Sequence, residues 1–289
     1  LMYRAPLVLD FRDPWIGSAF HSDRDKYKAH CFVREWLEKL VVRRASRITC
    51  AWEGIRQLLS QRYPDKKAIL ATIVNGFDEN DFKFIQPKVL FENKCVFLHA
   101  GNFYSHRSPE PLLVALRQMI DSDFTEIHSA RFVFLGDPTY NGRMMIDIIK
   151  DFNLEEYVHV LPSVPQRDAL TLLAGAQVAV LFGQSGSETL ASIPAKTFEY
   201  IGLGKPVLAV GAGLEVCTVL EDGGCPLWRV DLAQKGQIVS VLKDILIHYI
   251  KGEMPQARHG ADKYRRQSMA IKIETILDEI LESKKMLRM

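Results

Sequence analysis

The feature that most constrains the fold is a regular alternation, from Cys95 onward, of short apolar runs with longer segments of helical period. Such an alternation is typical of βαβ units, in which parallel strands are joined by helices. Several of the runs are apolar throughout, as strands buried on both faces must be. We therefore predict a doubly wound parallel α/β sheet with strands at residues 95–99, 131–135, 157–161, 177–182, 206–210 and 227–230.

The segments outside this sheet also carry a pattern. A strand is predicted near Leu7, a helix over residues 54–62, a polar linker over residues 83–93 and an amphipathic helix near the end of the chain. Another long amphipathic helix is predicted in the front part. Its apolar face would consist of Phe32, Val33, Trp36, Leu37, Leu40 and Val41.

Length and composition exclude several classes of protein. The 289 residues predict two domains, and 37 basic against 35 acidic residues give a net charge of +2, which excludes a disordered or strongly nucleic-acid-binding chain. Five cysteines without Cys-x-x-Cys spacing indicate neither a disulfide framework nor a zinc site and favour a reducing, cytosolic compartment. No apolar run approaches the roughly 18–20 residues of a membrane-spanning helix. Leu1 precedes Met2 without a secretory signal, so we expect the chain to begin partway through a domain.

Positive charge is concentrated near the front of the chain. From Arg24 to Lys67 there are 12 basic residues against five acidic ones, a local net charge of +7. One interpretation is a solvated basic helix face. The other is attraction to an anionic membrane surface or to a phosphorylated acceptor, because each basic residue near an anionic surface contributes about 1 kcal/mol.

A doubly wound sheet binds ligands beyond the carboxyl ends of its strands, so the loops after the strands are the candidate sites. In the loop after the first strand, Gly101 permits a tight backbone and Arg107 lies just ahead of a helix start at Ser108-Pro109-Glu110. A cation beside the amides of a helix N-terminus is typical of diphosphate binding. The alternative is an ordinary turn with a surface arginine.

The loop after the fourth strand, residues 183–195, is rich in small and polar residues and leads directly into a helix. Its backbone donors would suit phosphate groups or sugar hydroxyls. Glu199, in the first turns of that helix, suits two vicinal ribose hydroxyls, although an acid there is also favourable for the helix itself. After the third strand, Ser163-Val-Pro-Gln166 resembles a helix capping box.

One composite motif is specific enough to indicate a family. Pro194-Ala-Lys196-Thr-Phe-Glu199-Tyr200, followed by Gly204-Lys205-Pro206-Val207, resembles the donor-binding helix of glycosyltransferase family 4 and related sugar transferases of GT-B fold. The resemblance extends over nearly the whole chain. Its other segments are residues 10–15, 51–59, 74–78, 101–107, 134–137 and 161–165.

The resemblance implies roles for individual residues in the second half of the chain. It implies that Glu199 binds the ribose of a nucleotide-sugar, that Thr197 approaches the diphosphate, and that Arg107 takes the place of a phosphate-binding lysine. Gly101 and Lys196 belong to the same motifs. Where many members have a second cation, this chain has Asn102.

Two further comparisons with the family pattern concern the contacts to the donor sugar. Where the family often has a second glutamate, this chain has Ala191, and Glu188 and Ser192 are close enough in sequence to substitute. Arg12 and Asp13 correspond to the segment that faces the donor sugar, which makes them the candidate catalytic residues. Asp13 has the alternative role of an acid that caps the turn before Pro14.

The implied architecture is GT-B-like, with two Rossmann-like domains. On this basis we expect a partial acceptor-side domain over residues 1–84, a nucleotide-sugar-binding Rossmann-like domain over residues 85–250, and a terminal helical segment over residues 251–289 that returns to the first domain. The front of the acceptor domain would be missing, because two complete domains of this kind need more chain.

The expected activity is sugar transfer from a nucleotide-sugar to a polysaccharide, glycolipid or other acceptor, with retained anomeric configuration and without a metal or other cofactor. Asp121-Ser-Asp123 mimics a metal-binding motif but follows a helix rather than a strand. The alternatives are a sugar-nucleotide 2-epimerase of the same fold and a non-catalytic nucleotide-sugar-binding or scaffold protein. The expected location is cytoplasmic, with contact to the inner membrane face through residues 24–67, and no nucleic-acid partner is expected.

Overall fold

The computed structural model describes residues 5–16, 28–104, 107–183 and 192–286. By its internal contacts the chain divides into two compact units. The first unit comprises Leu1–Gly76, Ser187–Ile193 and Lys263–Met289, and the second comprises Phe77–Gly186 and Pro194–Asp262.

The borders of these units differ from the expected boundaries after residues 84 and 250. Residues 77–84 belong with the second unit because the rings of Phe77 and Phe82 lie against Gly202. Residues 251–262 also stay with it, since the backbone N–H of Arg258 donates to the carbonyl of Gly224 at 2.8 Å.

The first unit is built on a three-stranded parallel sheet in the order β1-β2-β3. Its strands are short, and a helix follows the second strand directly. The elements are β1 (Val8–Phe11), α1 (Lys28–Arg44), β2 (Arg47–Cys50), α2 (Glu53–Arg62) and β3 (Leu70–Thr72).

The apolar face of α1 is mostly exposed. Phe32 is 70% exposed and Trp36 is 56% exposed, and Val33, Leu37 and Leu40 are exposed with them. The buried side of the helix instead carries Val42 and the carboxylate of Glu38, to which Arg62 donates at 2.6 Å and the Tyr63 hydroxyl at 3.0 Å. The amphipathic pattern therefore predicted the helix but not which face is buried.

The second unit contains the predicted doubly wound sheet. All six strands are present and parallel, in the order β11-β10-β9-β4-β5-β8, and they are mostly buried on both faces. Its elements are β4 (Cys95–Ala100), α3 (Glu110–Asp121), β5 (Ala130–Gly136), β6 (Thr139–Tyr140), β7 (Arg143–Met144), α4 (Met145–Asp151), β8 (Val158–Pro162), α5 (Gln166–Gly175), β9 (Val178–Phe182), α6 (Lys196–Gly202), β10 (Val207–Val210), α7 (Leu214–Asp222), β11 (Leu227–Val230) and α8 (Gln237–Lys251).

The strand order determines where a ligand fits. The chain runs outward from β4 through β5 to β8, and then from β9 through β10 to β11 on the other side, so the direction reverses between β4 and β9. These two strands pair only at Phe97↔Val178 and Leu98↔Ala179, and they diverge toward their carboxyl ends. In doubly wound sheets this switch point opens the ligand crevice.

The chain then continues into α9 (Arg266–Met286), which belongs to the first unit. Met269 and Ile280 are its buried apolar residues, whereas Leu277 and Leu281 are exposed. Across the ranges that the structure describes, no helix combines the length and the apolar character that a membrane span requires.

Candidate functional site

The crevice between β4 and β9 is closed at its base by buried polar side chains. The carbonyl oxygen of Val180 accepts hydrogen bonds from His99 Nδ1 at 2.9 Å and from the Tyr200 hydroxyl at 3.1 Å. The His99 bond joins β4 to β9 beyond their last pair, and the Tyr200 bond joins α6 to β9. Since a carbonyl only accepts, His99 carries its proton on Nδ1, and Nε2 is left as an acceptor.

His99 stays neutral in this position. Burial, the nearby Lys196 and Arg107 together hold the pKa of His99 well below its ordinary value, and only the bond to Val180 opposes them. The ring also packs against Phe103 and Phe182, with centroids 4.8 and 5.0 Å apart. His99 is thus both a packing residue at the strand end and a polar wall of the crevice.

Arg107 enters the crevice from the loop after β4. Its backbone N–H donates to the Tyr104 carbonyl at 2.7 Å, which fixes the loop three residues before α3 begins. Its Nε is buried and finds no hydrogen-bond partner in the described ranges. Burial lowers the pKa of Arg107, an effect that Tyr104 and Tyr200 partly offset. An arginine remains charged even so, because its ordinary pKa is so high.

Lys196, the first residue of α6, meets the same loop from the other side. A Cβ atom placed on Gly101 would collide with Lys196 Nζ, so the ammonium group lies against the glycine backbone. Burial and the charge of Arg107 lower the pKa of Lys196 to about 7, whereas Glu199 raises it. The interaction with Lys196 therefore places Arg107 and Glu199 around one centre.

Glu199 lies one turn further along α6 and is half-buried. Its Oε1 accepts a hydrogen bond from Gln166 Nε2 at 3.0 Å, which links α6 to the start of α5. Within the part of the chain that the structure describes, this is the one hydrogen bond recorded to that carboxylate. Its second oxygen is available to accept hydroxyl donors.

Unsatisfied polar atoms cluster around these charges. Thr197 is 0% exposed and its Oγ1 has no hydrogen-bond partner among the described residues, and the same holds for His99 Nε2 and Arg107 Nε. Leaving a buried polar group unpaired costs about 1–3 kcal/mol. Three such atoms beside two cations form a site suited to an anion that also accepts and donates hydrogen bonds.

Asn102, a further predicted residue of the loop after β4, already makes a hydrogen bond to another loop. Asn102 Oδ1 accepts the backbone N–H of Asp137 at 2.9 Å, which ties the loop after β4 to the loop after β5. The Asn102 side chain is neutral and already engaged, so it contributes no charge to the crevice. Asp121 of the Asp-x-Asp sequence pairs with Arg117 at 2.6 Å on the surface of α3.

The predicted residues outside the second unit are placed separately. Arg12 donates to Asp10 at 2.6 Å and to Asn75 Oδ1 at 2.7 Å, and Asp13 is exposed beside it. Both belong to the first unit, as does the half-buried Ser192. Glu188, and Ala191 with it, lie outside the described residues.

Sequence reasoning did not assign Gln166 and Tyr200 to this site. The capping box expected at Gln166 is absent, because Pro165 is the N-cap and makes no side-chain cap bond, and Gln166 binds Glu199 instead. The sequence feature that could have assigned Gln166 to the site is its position just after β8, at the carboxyl edge of the sheet. For Tyr200 that feature is its place in the helix motif.

A scan against protein-family models gave no match, and a search of curated proteins by sequence gave none either. Solved structures do match. A sucrose-phosphate synthase (tll1590) from Thermosynechococcus elongatus has a TM-score of 0.67 at 14% identity over 98% of this chain and 69% of that chain. HepE (Alr3699) from Anabaena, in complex with UDP and glucose, has a TM-score of 0.63 at 15% identity over 96% of this chain and 72% of that chain.

A third structure is the lipopolysaccharide outer core galactosyltransferase WaaB, with a TM-score of 0.57 at 12% identity over 83% of this chain and 62% of that chain. At such identities the similarity concerns the fold, and the family 4 assignment within the fold is not resolved. The crevice, the strand order and these neighbours agree on one conclusion. The chain has the GT-B fold of glycosyltransferases.

Proposed function

We propose that this protein is a glycosyltransferase that moves a sugar from a nucleotide-sugar to a saccharide or lipid-linked acceptor. The observation that carries the proposal is the electrostatic interaction of Lys196 with Arg107 and Glu199 at the switch point of the sheet. Three buried polar atoms of the same region have no hydrogen-bond partner among the described residues. A nucleoside diphosphate offers what such a site lacks, namely negative charge and vicinal hydroxyls. HepE, one of the structural neighbours, was solved in complex with UDP and glucose.

The proposed roles follow from the chemistry of each group. Glu199, held by Gln166, accepts hydrogen bonds from the ribose hydroxyls. Arg107 and Thr197 bind the diphosphate, and the glycine backbone at Gly101 lets the phosphate groups approach closely. Ser192 and Glu188 remain candidates for contact with the donor sugar through their places in the sequence.

The proposed reaction breaks the bond between the anomeric carbon and the diphosphate oxygen, and the bonding electrons leave with the diphosphate. A hydroxyl of the acceptor bonds to the same carbon and passes its proton to the departing diphosphate. Positive side chains aimed at the departing phosphate stabilise the developing negative charge. Retention of configuration and independence from a metal are part of the proposal through the resemblance of the donor-binding motif, and Arg12 and Asp13 are its candidate catalytic residues.

The partner surface and the location are proposed on separate grounds. The exposed apolar face of α1 lies on a helix that also carries Lys39, Arg43 and Arg44. A helix with exposed aromatic residues and flanking basic residues suits the interface of an anionic membrane. We therefore propose a cytoplasmic protein that contacts the inner membrane face through this helix.

The donor site is tested by ligand binding. We expect one of UDP-, GDP- or ADP-glucose to raise the unfolding temperature of the full chain, because a ligand that binds the folded state stabilises it. Glu199→Gln keeps the shape but removes the negative acceptor, so it should weaken binding about 10-fold or more, as for a lost hydrogen bond to a charged group. The matched control is Glu155→Gln, an exposed residue of the same unit, which should not change binding.

Product analysis after incubation with the same three donors, with and without a saccharide acceptor, separates the alternative functions. Transfer or hydrolysis of the donor, lost in Glu199→Gln, argues against a non-catalytic binding protein. Conversion of the free nucleotide-sugar into its 2-epimer without an acceptor would favour the epimerase. Absence of binding by all three donors would contradict the proposal.

A further inference from the structure

We propose that Lys196 is the second diphosphate-binding cation of this site, and that it takes up a proton when the diphosphate binds. The inference rests on the proposed donor site and goes beyond it by assigning a change of charge to one side chain. It makes Lys196 a group that binds the ligand only in one protonation state, unlike Arg107.

The geometry is the first support. Asn102 is neutral and already binds Asp137, so Arg107 is the single cation that the described loop after β4 contributes to the crevice. Lys196 Nζ lies directly against Gly101 of that same loop, and its charge interacts with that of Arg107. A diphosphate carries negative charge on two phosphate groups, and two neighbouring cations match that distribution.

The surroundings of the ammonium group are the second support. Facing Lys196 are His99 from β4 and Arg107 from the following loop, and on its own helix Glu199 and Tyr200. Of these groups only Glu199 is a carboxylate, and Gln166 already donates to it. His99 is neutral and offers Nε2, and burial together with the charge of Glu199 raises the pKa of Tyr200, so the phenol stays neutral. Among the residues that the structure describes, Lys196 therefore faces one cation, one engaged carboxylate and two neutral groups.

The charge state of Lys196 changes when a diphosphate binds. With a pKa lowered to about 7, Lys196 is divided between ammonium and amine near neutral pH. A bound diphosphate favours the ammonium form, because an opposite charge nearby raises the pKa of a lysine. By linkage, binding then draws a proton from the solvent, about half a proton per ligand at pH 7.

The test is calorimetry of the full chain at pH 7 in buffers of different ionisation enthalpy. UDP-, GDP- or ADP-glucose is the probe, since its diphosphate ester does not itself titrate near neutrality. We expect an uptake of about half a proton for the wild-type chain and almost none for Lys196→Arg, which stays charged at every pH used. Lys196→Arg should keep most of the affinity, whereas Lys196→Met should lose about 10-fold or more. The exposed Lys251→Arg is the control and should behave as wild type.

A second pair of variants guards against a misfolded Lys196 variant. Gly101 and Gly142 both have positive φ, of 137° and 78°, so alanine strains the backbone at either. Only at Gly101 would the added Cβ collide with Lys196 Nζ, whereas nothing lies within 4 Å of the position at Gly142. Gly101→Ala should weaken donor binding and reduce proton uptake, and Gly142→Ala should change neither.

Inorganic pyrophosphate separates this inference from the proposed function. Inorganic pyrophosphate itself titrates near neutrality, so the wild-type chain is compared with Lys196→Arg. If pyrophosphate binds wild type with about half a proton more uptake than Lys196→Arg, but no nucleotide-sugar binds, the inference stands and the proposed function fails. If nucleotide-sugars bind with the same uptake in wild type and Lys196→Arg, the inference is overturned and the proposed function stands. If neither probe binds, both are overturned.

Discussion

At the scale of single residues, Arg107 differs from a surface arginine in having a buried Nε without a partner in the described ranges. A buried guanidinium normally pairs with a carboxylate. Here its charged neighbour in the crevice is another cation, Lys196, so the apo site is electrostatically unfavourable. A ligand that brings negative charge would remove this repulsion, so we expect the proposed site to favour anionic ligands.

The role of Arg107 can be checked by comparing two ligands. Arg107→Ala should weaken binding of the nucleoside diphosphate by about 1.5–3 kcal/mol, the value of a charge-assisted hydrogen bond to a charged group. Binding of the nucleoside alone should change little, because Glu199 and Gln166 are untouched. Calorimetry with UDP and uridine, or with the matching pair for whichever base binds, gives both values. Equal losses for the two ligands would refute the assignment.

Sequence reasoning reached several residues around this crevice but not their contacts. Arg107 and Glu199 were identified from their positions after strands and from the helix motif. The hydrogen bond from Gln166 to Glu199 was not predicted, because it depends on how α5 and α6 lie side by side on the sheet. Likewise His99 Nε2 has no hydrogen-bond partner among the described residues, because the proton of the ring lies on Nδ1 and is donated to a neighbouring strand. A pattern along the sequence does not contain this contact.

At the scale of elements, the six strands of the second unit were predicted correctly because most of them are apolar on both faces and alternate with helical segments. Such runs have few alternative interpretations. Helix α1 shows the opposite case. Its periodicity predicted a helix, but its buried side carries Glu38, satisfied by Arg62 and Tyr63, while Phe32 and Trp36 are exposed. An amphipathic pattern states which residues share a face, and tertiary contacts decide which face is covered.

The exposed face of α1 leads to a prediction about membranes. We expect the full chain to sediment with vesicles that contain anionic lipid and not with vesicles of neutral lipid only. Phe32→Ser with Trp36→Ser should reduce this binding several-fold by removing apolar insertion, and Lys39→Glu with Arg43→Glu should reduce it by removing charge attraction.

The control for that experiment is Ile250→Ser, which removes an exposed apolar side chain from α8 in the second unit. It should leave vesicle binding unchanged. If the wild-type chain ignores anionic vesicles and instead forms dimers that Trp36→Ser disrupts, the face is a protein interface and the membrane proposal is wrong.

At the scale of the whole molecule, two lysines of the second unit make stability depend on pH. The pKa of Lys196 is lowered to about 7, mainly by burial and Arg107, and burial lowers the pKa of Lys205 to about 8. Between these values and the ordinary pKa of lysine, the unfolded chain binds more protons than the folded chain. Stability of the ligand-free chain therefore rises with pH in this window.

The size of the effect can be measured by urea unfolding at pH 7.0 and 8.5. Lys196 alone should contribute a gain of about 1–2 kcal/mol over this interval. Lys196→Met should be more stable than wild type at pH 7.0, because a buried amine no longer has to lose its proton, and its gain with pH should be smaller. An identical pH dependence in the two proteins would contradict the assigned charge state.

The architecture of the whole molecule was accessible from sequence, since the GT-B fold was expected from motifs in order along the chain. The borders of the two units were not accessible from the sequence. They depend on contacts such as Phe82 against Gly202, between segments far apart in sequence. A polar stretch such as residues 83–93 indicates a linker by composition, but packing decides to which unit it belongs.

The discontinuous first unit has a consequence for biosynthesis. Its helix α9 follows the entire second unit in the chain. A ribosome therefore delivers every residue of the second unit before it delivers the helix that the first unit needs. Domains usually fold in the order of translation. Here the order is inverted, so the nascent second unit can become protease-resistant while the earlier part of the chain still awaits its last helix.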